Sequence, residues 1–167
     1  MRTIPLSENC FTKVSDKDFK RVLAAGPWHR STVTRAHKGV LYAARNSERD
    51  GKRTTETMHR FILGIKDPAV QVDHRDTDGL NNQRYNLRIA TAVQNSQSRR
   101  KRANCISEYK GVSWHVCRSK WRARIQVEGI RKSLGLFSSE KEAAKTYDKA
   151  ALMYFGAFAR LNFTKRG

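Results

Sequence analysis

Cysteine is scarce in this chain and poorly placed. Cys10, Cys105 and Cys117 lie far apart, are odd in number, and form no Cys-x-x-Cys pair. A zinc finger or zinc knuckle needs closely spaced Cys and His ligands, so structural zinc is excluded as an organising element. Free thiols in a reducing compartment are the simplest account. Long apolar runs are also missing: no stretch approaches the roughly 20 residues of a membrane span. Met1–Leu6 runs into polar residues rather than the apolar core of a secretion signal. No amphipathic basic helix of the membrane-surface kind stands out. The expectation is a soluble, cytoplasmic protein with no membrane partner.

Acidic residues are few as well. Fifteen Asp plus Glu stand against 34 Lys plus Arg, a formal net charge of +19 on 167 residues. A polyanion is the natural counterpart of such a field, bound through counterion release and steered at long range.

Residues 72–95 are where chemistry concentrates. Asp73 and His74 close a short apolar run; a turn rich in Asp, Gly and Asn follows, then a second short run and a helix start bearing Asn95. A hard metal needs oxygen ligands, and Asp73 and Asn95 offer a carboxylate and a carboxamide oxygen. Hydrolysis needs a base that is neutral near pH 7, which His74 supplies without tuning. Thr91 followed three residues later by Gln94 is a capping-box pattern that sets Asn95 in the first turns of a helix. Asp, Asn and Gly also build ordinary polar turns, but these elements in this order favour a metal-assisted nuclease site.

The stretch closely resembles the HNH motif of ββα-metal nucleases, in particular phage and intron-encoded HNH endonucleases. The matching residues are Asp73-His74, Asn86 within Asn-Leu-Arg, and Asn95 within Val-Gln-Asn-Ser. Asn in the third position, where other members carry His, makes this the HNN variant. The resemblance implies His74 as general base and Asn86 as the brace of the loop, the catalytic pair. It implies Asp73 and Asn95 as ligands of one divalent cation, Mg²⁺ with Mn²⁺ as the alternative. The segment His59-Arg60-Phe61-Ile62-Leu63-Gly64 resembles the region upstream of that motif, and His59 is assigned to packing or phosphate contact ahead of the alternative, a second site residue. A phage-encoded member would act in the host cytoplasm.

The chain divides into a nuclease module over 1–97, a basic linker over 98–107 and a second module over 108–167. In the first, Ser15 to Gly26 reads as a short helix with a Phe19/Val22/Leu23 stripe. Trp28 to Ala36 and Val40 to Arg45 read as strands joined at His37-Lys38-Gly39, Thr54–Met58 as a third, and His59 to Gly64 as a helical turn. The linker carries Arg99, Arg100, Lys101 and Arg102, expected to lie along phosphates.

The second module reads as three short strands and a helix. In the middle strand Trp121, Ala123, Ile125 and Val127 share one face, and Arg122, Arg124 and Gln126 the other. Ser139-Glu140-Lys141-Glu142 is a capping box opening a helix through about Tyr154, with Ala143, Tyr147, Ala150, Ala151 and Tyr154 as its packing stripe. This module resembles the ethylene-response-factor DNA-binding domain of the APETALA-two type over its full length. The signatures are Tyr109-Lys110-Gly111-Val112, Trp121-Arg122-Ala123-Arg124-Ile125, Leu134-Gly135-Leu136-Phe137, Glu142-Ala143-Ala144, Tyr147-Asp148, Ala150-Ala151-Leu152 and Leu161-Asn162-Phe163. In that family the sheet lies in the major groove, which implies DNA contacts from Lys110, Ser113, His115, Arg122, Arg124, Gln126, Arg131 and Ser133. Several of these differ from the plant residues, so the plant target sequence does not carry over.

The expected fold is α+β: a ββα-metal HNH module followed by a three-stranded antiparallel sheet packed on one helix. The expected function is a metal-dependent, nicking, homing-type DNA endonuclease acting on double-stranded DNA, a monomer in preference to a dimer. The first alternative is a non-catalytic DNA-binding regulator, disfavoured because a relic has no physical reason to keep Asp73, His74, Asn86 and Asn95 together. An RNA-binding or RNA-processing protein ranks third, since a sheet reader suits the accessible DNA major groove.

Overall fold

The computed structural model describes residues 1–31, 40–49, 51–99 and 106–163. The expected strand and turn over 32–39, and the linker residues Arg100, Lys101 and Arg102, lie outside the described residues. The described chain is mixed α and β, with four helices and four small sheets. It separates into two compact units, Met1–Thr91 and Ala92–Gly167.

The first unit opens on an antiparallel hairpin of β1 (Arg2–Ser7) and β2 (Cys10–Val14), a feature the sequence reading did not include. Its alternation is period two: Ile4, Leu6, Thr12 and Val14 are buried between exposed neighbours. Helix α1 (Asp16–Ala24) follows, then β3 (His29–Ser31), β4 (Tyr42–Arg49), β5 (Lys52–Thr57) and α2 (Met58–Leu63), which Gly64 ends in the left-handed region. Strands β6 (Gln71–His74), β7 (Asn81–Asn82) and β8 (Leu87–Ala90) complete the unit. Strand β7 joins the hairpin in parallel with β2; β3, β4 and β5 form an antiparallel sheet; β6 and β8 pair with each other, His74 opposite Leu87.

One core serves all of this: Ile4, Leu6, Val14, Val22, Trp28, Met58, Ile62 and Leu87 form a single buried cluster. The expected α1 stripe needs correction. Val22 is buried, but Leu23 is 54% exposed, and Asp18 is buried on this helix instead. Asp18 is tolerated there because Arg84 closes on it through Nε at 2.8 Å and a second nitrogen at 2.9 Å, with Arg21 at 3.2 Å.

The second unit begins with α3 (Ala92–Ser98) and continues through β9 (Val112–His115), β10 (Lys120–Val127), β11 (Ile130–Phe137) and α4 (Glu140–Phe155). The strands form one antiparallel sheet in the order β11-β10-β9. Helix α4 lies on one face, with Ala143, Tyr147 and Ala151 buried against a sheet surface that includes Val112, Ala123 and Ile125. Gly111 permits the approach, because a Cβ there would enter the Tyr147 ring. The stripe ends one residue later than expected: Phe155 is buried, while Tyr154 is 38% exposed beside Lys132. Ser139 is the N-cap residue but makes no side-chain capping bond, so the expected capping box does not close; its carbonyl accepts Ala143 N–H. The end of the described chain is tied back by Asp148, whose carboxylate accepts the N–H groups of Asn162 and Phe163. Asn162 in turn bridges the backbone of Lys110.

Candidate functional site

The β6–β8 hairpin builds the first candidate site. Asp73 and His74 are the last two residues of β6, 6% and 5% exposed. The turn that follows is tied by short polar bonds: Thr77 N–H to His74 O, Asp78 N–H to Asp76 Oδ1, and Leu80 N–H to Asp78 Oδ1. Asn86 sits in the 3-10 turn before β8, 2% exposed, and fastens the loop from inside. Its Nδ2 donates to Asp76 Oδ1 at 2.9 Å and to Asn81 O at 2.8 Å, its Oδ1 accepts Asp76 N–H at 3.1 Å, and its carbonyl accepts Arg75 N–H.

His74 is enclosed by rings. His59, on α2, meets it edge-on with centroids 5.2 Å apart at 89°, and Tyr42, on β4, lies 5.9 Å away. Tyr42 is itself pressed by the turn: a Cβ on Gly79 would come within 2.8 Å of the Tyr42 ring and strike Leu41 O. On the other side, His74 Nε2 stands 3.3 Å from Asn82 Oδ1. Burial pushes the His74 pKa below its ordinary value, although Asn82 and the carboxylates of Asp76, Asp73 and Asp78 pull the other way. The net direction leaves a neutral imidazole, the form a base requires. His59 is driven further, down to about 3, by burial and then by His74 and Arg60. It is a neutral wall of the site, its Nε2 at 3.0 Å from Thr57 Oγ1.

Asp73 is paired with Arg88, directly across the hairpin. Arg88 Nε reaches Asp73 Oδ2 at 2.8 Å, and the guanidinium NH2 contacts the same oxygen. Asp73 is buried and the Arg88 side chain is only 10% exposed, so the pair shields a carboxylate that would otherwise be costly inside the fold. Asp76 is held below the ordinary carboxylate range: burial alone would raise it, but the N–H of Asp78 and the amides of Asn81 and Asn86 outweigh that. No group of three or more His, Cys, Asp or Glu able to hold a metal occurs among the described residues. Asn95 lies on α3, in the second unit.

A second candidate surface is the sheet face opposite α4. The register of β10 places Arg122 between Ser113 and Leu136, Arg124 opposite Ser133, and Gln126 opposite Arg131. A register irregularity falls between Ala123 and Arg124. Burial and then the like charges of Arg122 and Arg131 depress the Arg124 pKa, the mark of guanidiniums crowded on one face. His115 Nδ1 and Arg122 Nε are buried without a hydrogen-bond partner among the described residues. Lys110 behaves differently from the others: its ammonium donates to the carbonyls of Gln97 at 2.6 Å and Arg99 at 2.8 Å. Burial, and then Arg160, lowers its pKa to about 8. Residues the sequence reading did not single out are Arg88, Tyr42 and Asn82; two adjacent Asn after a turn carry no periodic signal.

No helix among the described residues is long and apolar enough to cross a membrane. No family model matches the chain, and no solved structure matches it. Over 110 residues, 63% of the chain, it is 34% identical to an uncharacterized HNH endonuclease of Acanthamoeba polyphaga mimivirus. Over 151 residues, 88% of the chain, it is 26% identical to an ethylene-responsive transcription factor-like protein of Arabidopsis thaliana. Over 59 residues, 34% of the chain, it is 44% identical to an APETALA2-like protein of Oryza sativa subsp. indica. The chain spans 56%, 58% and 13% of the lengths of these three relatives. The chain is thus similar both to a protein named as an HNH endonuclease and to plant proteins named as ethylene-responsive transcription factor-like and APETALA2-like.

Proposed function

We propose that this chain is a metal-dependent DNA endonuclease that cuts with its first unit and holds double-stranded DNA with the basic sheet face of its second. The observation that carries the reading is the loop at the end of β6, where a buried neutral imidazole stands beside a buried carboxylate in a turn fastened by Asn86. His74 accepts a proton from water as the water oxygen attacks phosphorus. The bond from phosphorus to the 3′ oxygen breaks, the leaving oxygen is protonated from solvent, and His74 returns its proton to solvent. Asn86 holds the loop that presents the imidazole.

The donor chemistry at the site fits a hard divalent cation, Mg²⁺ with Mn²⁺ as the alternative. Asp73 is the proposed carboxylate donor, and Arg88, which holds its Oδ2, would share it with the cation. Asn95 is the proposed second donor, and Mg²⁺ keeps most of its waters, so few protein ligands suffice. When bound, the cation supplies positive charge against the phosphoryl and leaving oxygens. One base and one cation make one cut, so the monomer nicks a single strand, as in a homing-type enzyme. On the DNA-holding side, Ser113, His115, Arg122, Arg124, Gln126, Arg131 and Ser133 form the reading face, with the linker arginines and Lys101 along phosphates. Lys110 acts there with its ammonium on the Gln97 and Arg99 carbonyls.

One observation favours a second reading, DNA binding without cleavage: Arg88 already neutralises Asp73. A single assay separates the two. Supercoiled plasmid is incubated with the protein and Mg²⁺, with EDTA in parallel. Open-circle product that needs the metal and disappears in His74→Ala supports the nuclease; tight DNA binding with no open circle at any Mg²⁺ or Mn²⁺ concentration supports the regulator.

A further inference from the structure

The hydrogen bonds behind His74 decide which of its nitrogens carries the proton. Thr12, on β2, is fully buried, and its hydroxyl has one proton to give. The acceptor in good geometry is Leu80 O at 2.7 Å; the alternative, Met58 Sδ, is 3.8 Å away. With its proton committed to Leu80, the Thr12 oxygen acts as an acceptor, and the group that meets it is Asn82 Nδ2 at 2.8 Å. The same Nδ2 lies 3.4 Å from Gly79 O, a second acceptor. Both neighbours of Nδ2 accept, so the amide of Asn82, itself fully buried, is held in one orientation with Oδ1 turned to His74. A carboxamide oxygen only accepts. His74 Nε2 must therefore carry the hydrogen, and the lone pair lies on Nδ1.

We infer that Asn82, oriented by Thr12, is the positioning residue of His74: it fixes the Nε2–H tautomer and points Nδ1 outward as the proton acceptor. The frame is built from elements distant in sequence. Strand β7 carries Asn82 and is held by β2, with Val14 in register with Asn82 and Lys13 N–H on Leu80 O at 2.8 Å. Lys13 N–H and the Thr12 hydroxyl therefore converge on the Leu80 carbonyl. The inference rests on the nuclease reading only for its kinetic consequence; the tautomer itself is a structural property.

The test uses full-length protein labelled with ¹⁵N at histidine and long-range ¹H–¹⁵N correlation of the His74 ring, alongside single-turnover plasmid nicking with Mg²⁺. Wild type should show the Nε2–H tautomer. Asn82→Leu, near in volume, should give a mixed or Nδ1–H pattern and a fall in kcat of about 10- to 100-fold, the range typical when a group that orients an imidazole is removed. KM and DNA affinity should hold. Asn82→Asp keeps an acceptor toward Nε2 and should preserve the tautomer, with nicking above that of Asn82→Leu. Should Asn82→Leu fail to fold, Thr12→Val removes the acceptor that holds the amide, together with the donor to Leu80 O, and a mixture of tautomers is expected. A wild-type Nδ1–H tautomer, or an Nε2–H pattern unchanged in both Asn82→Leu and Thr12→Val, overturns the inference. The Nε2–H tautomer in a wild type that does not nick would leave this inference standing and sink the nuclease reading instead.

Discussion

Replacing Asn86 with Ala tests whether the active loop is held from within. Three side-chain bonds disappear: Nδ2 to Asp76 Oδ1, Nδ2 to Asn81 O, and Asp76 N–H to Oδ1. Their worth differs with exposure. Asn81 is buried, and its carbonyl left without this donor costs about 1–3 kcal/mol. Asp76 is exposed, so water replaces much of what it loses, and its two bonds contribute about 0.5–1 kcal/mol each. The total is about 2–5 kcal/mol. For a unit of this size each kcal/mol lowers Tm by roughly 4–8 °C, so the drop should be at least about 8 °C by calorimetry. Asn86→Asp gives the sign a second check. It sets a carboxylate beside that of Asp76, where Nδ2 now stands 2.9 Å away, and mutual repulsion raises the pKa of the pair. A carboxylate raised in the folded state destabilises at neutral pH and recovers as pH falls through that raised value. Wild-type Asp76 is depressed, so its contribution is present above the unfolded carboxylate pKa and lost as pH falls through the folded one. The two stability curves should therefore converge as pH falls from neutral through the raised value toward the ordinary carboxylate range. An unchanged Tm in Asn86→Ala, or curves that run parallel, would refute the brace.

His74→Ala should lower the nicking rate by about 10²–10⁴ with DNA affinity unchanged, read by single-turnover plasmid cleavage and a binding isotherm. Arg88→Gln removes the cation facing Asp73; the variant should be less stable without metal and show a larger Mg²⁺-induced rise in Tm than wild type, and an equal rise in both proteins would disprove Asp73 as a ligand. For Asp18, burial would raise its pKa, but the hydrogen bonds of Arg84 and Arg21 win and lower it, so Asp18→Asn should cost about 1–3 kcal/mol at pH 7, a difference that shrinks as pH falls through the depressed wild-type value. Arg124→Ala should weaken DNA binding; a loss of about 1–3 kcal/mol confined to one base pair would mark a base contact, and a uniform loss with a shallower salt dependence a phosphate contact.

The sequence speaks clearly where apolar residues recur at a regular period. Ala123 and Ile125 on β10, and Ala143, Tyr147, Ala150 and Ala151 on α4, fall on the buried faces that their spacing indicates. Asp73 and His74 sit at a strand end, and Asn86 in the 3-10 turn before the next strand. Periodicity fails where polar residues enter the core. On α1 an apolar count selects Leu23 over Asp18, but the stripe cannot know that Arg84, 66 residues away, supplies a partner. On α4 a fixed stripe runs to Tyr154, whereas Phe155 takes the buried place and Tyr154 meets Lys132.

The largest gap is the N-terminal hairpin. Strand β7 has two residues, too few for any period, and its place is set by β2, whose buried Thr12 looks like surface in a list of residue types. Thr12 and Asn82 are 70 residues apart, and neither is apolar, yet both are fully buried and the hydrogen bond between them sets the back of the site. A buried Thr–Asn pair of this kind is stable only if every donor and acceptor is matched, since each unmatched group costs about 1–3 kcal/mol. That same completeness leaves the amide a single orientation, with Oδ1 toward His74. The local motif therefore supplies both the imidazole and Asn82, but the hydroxyl that orients the Asn82 amide belongs to Thr12 on β2, a strand the motif does not contain, which is why residues 72–95 alone point to His74 and not to the frame behind it.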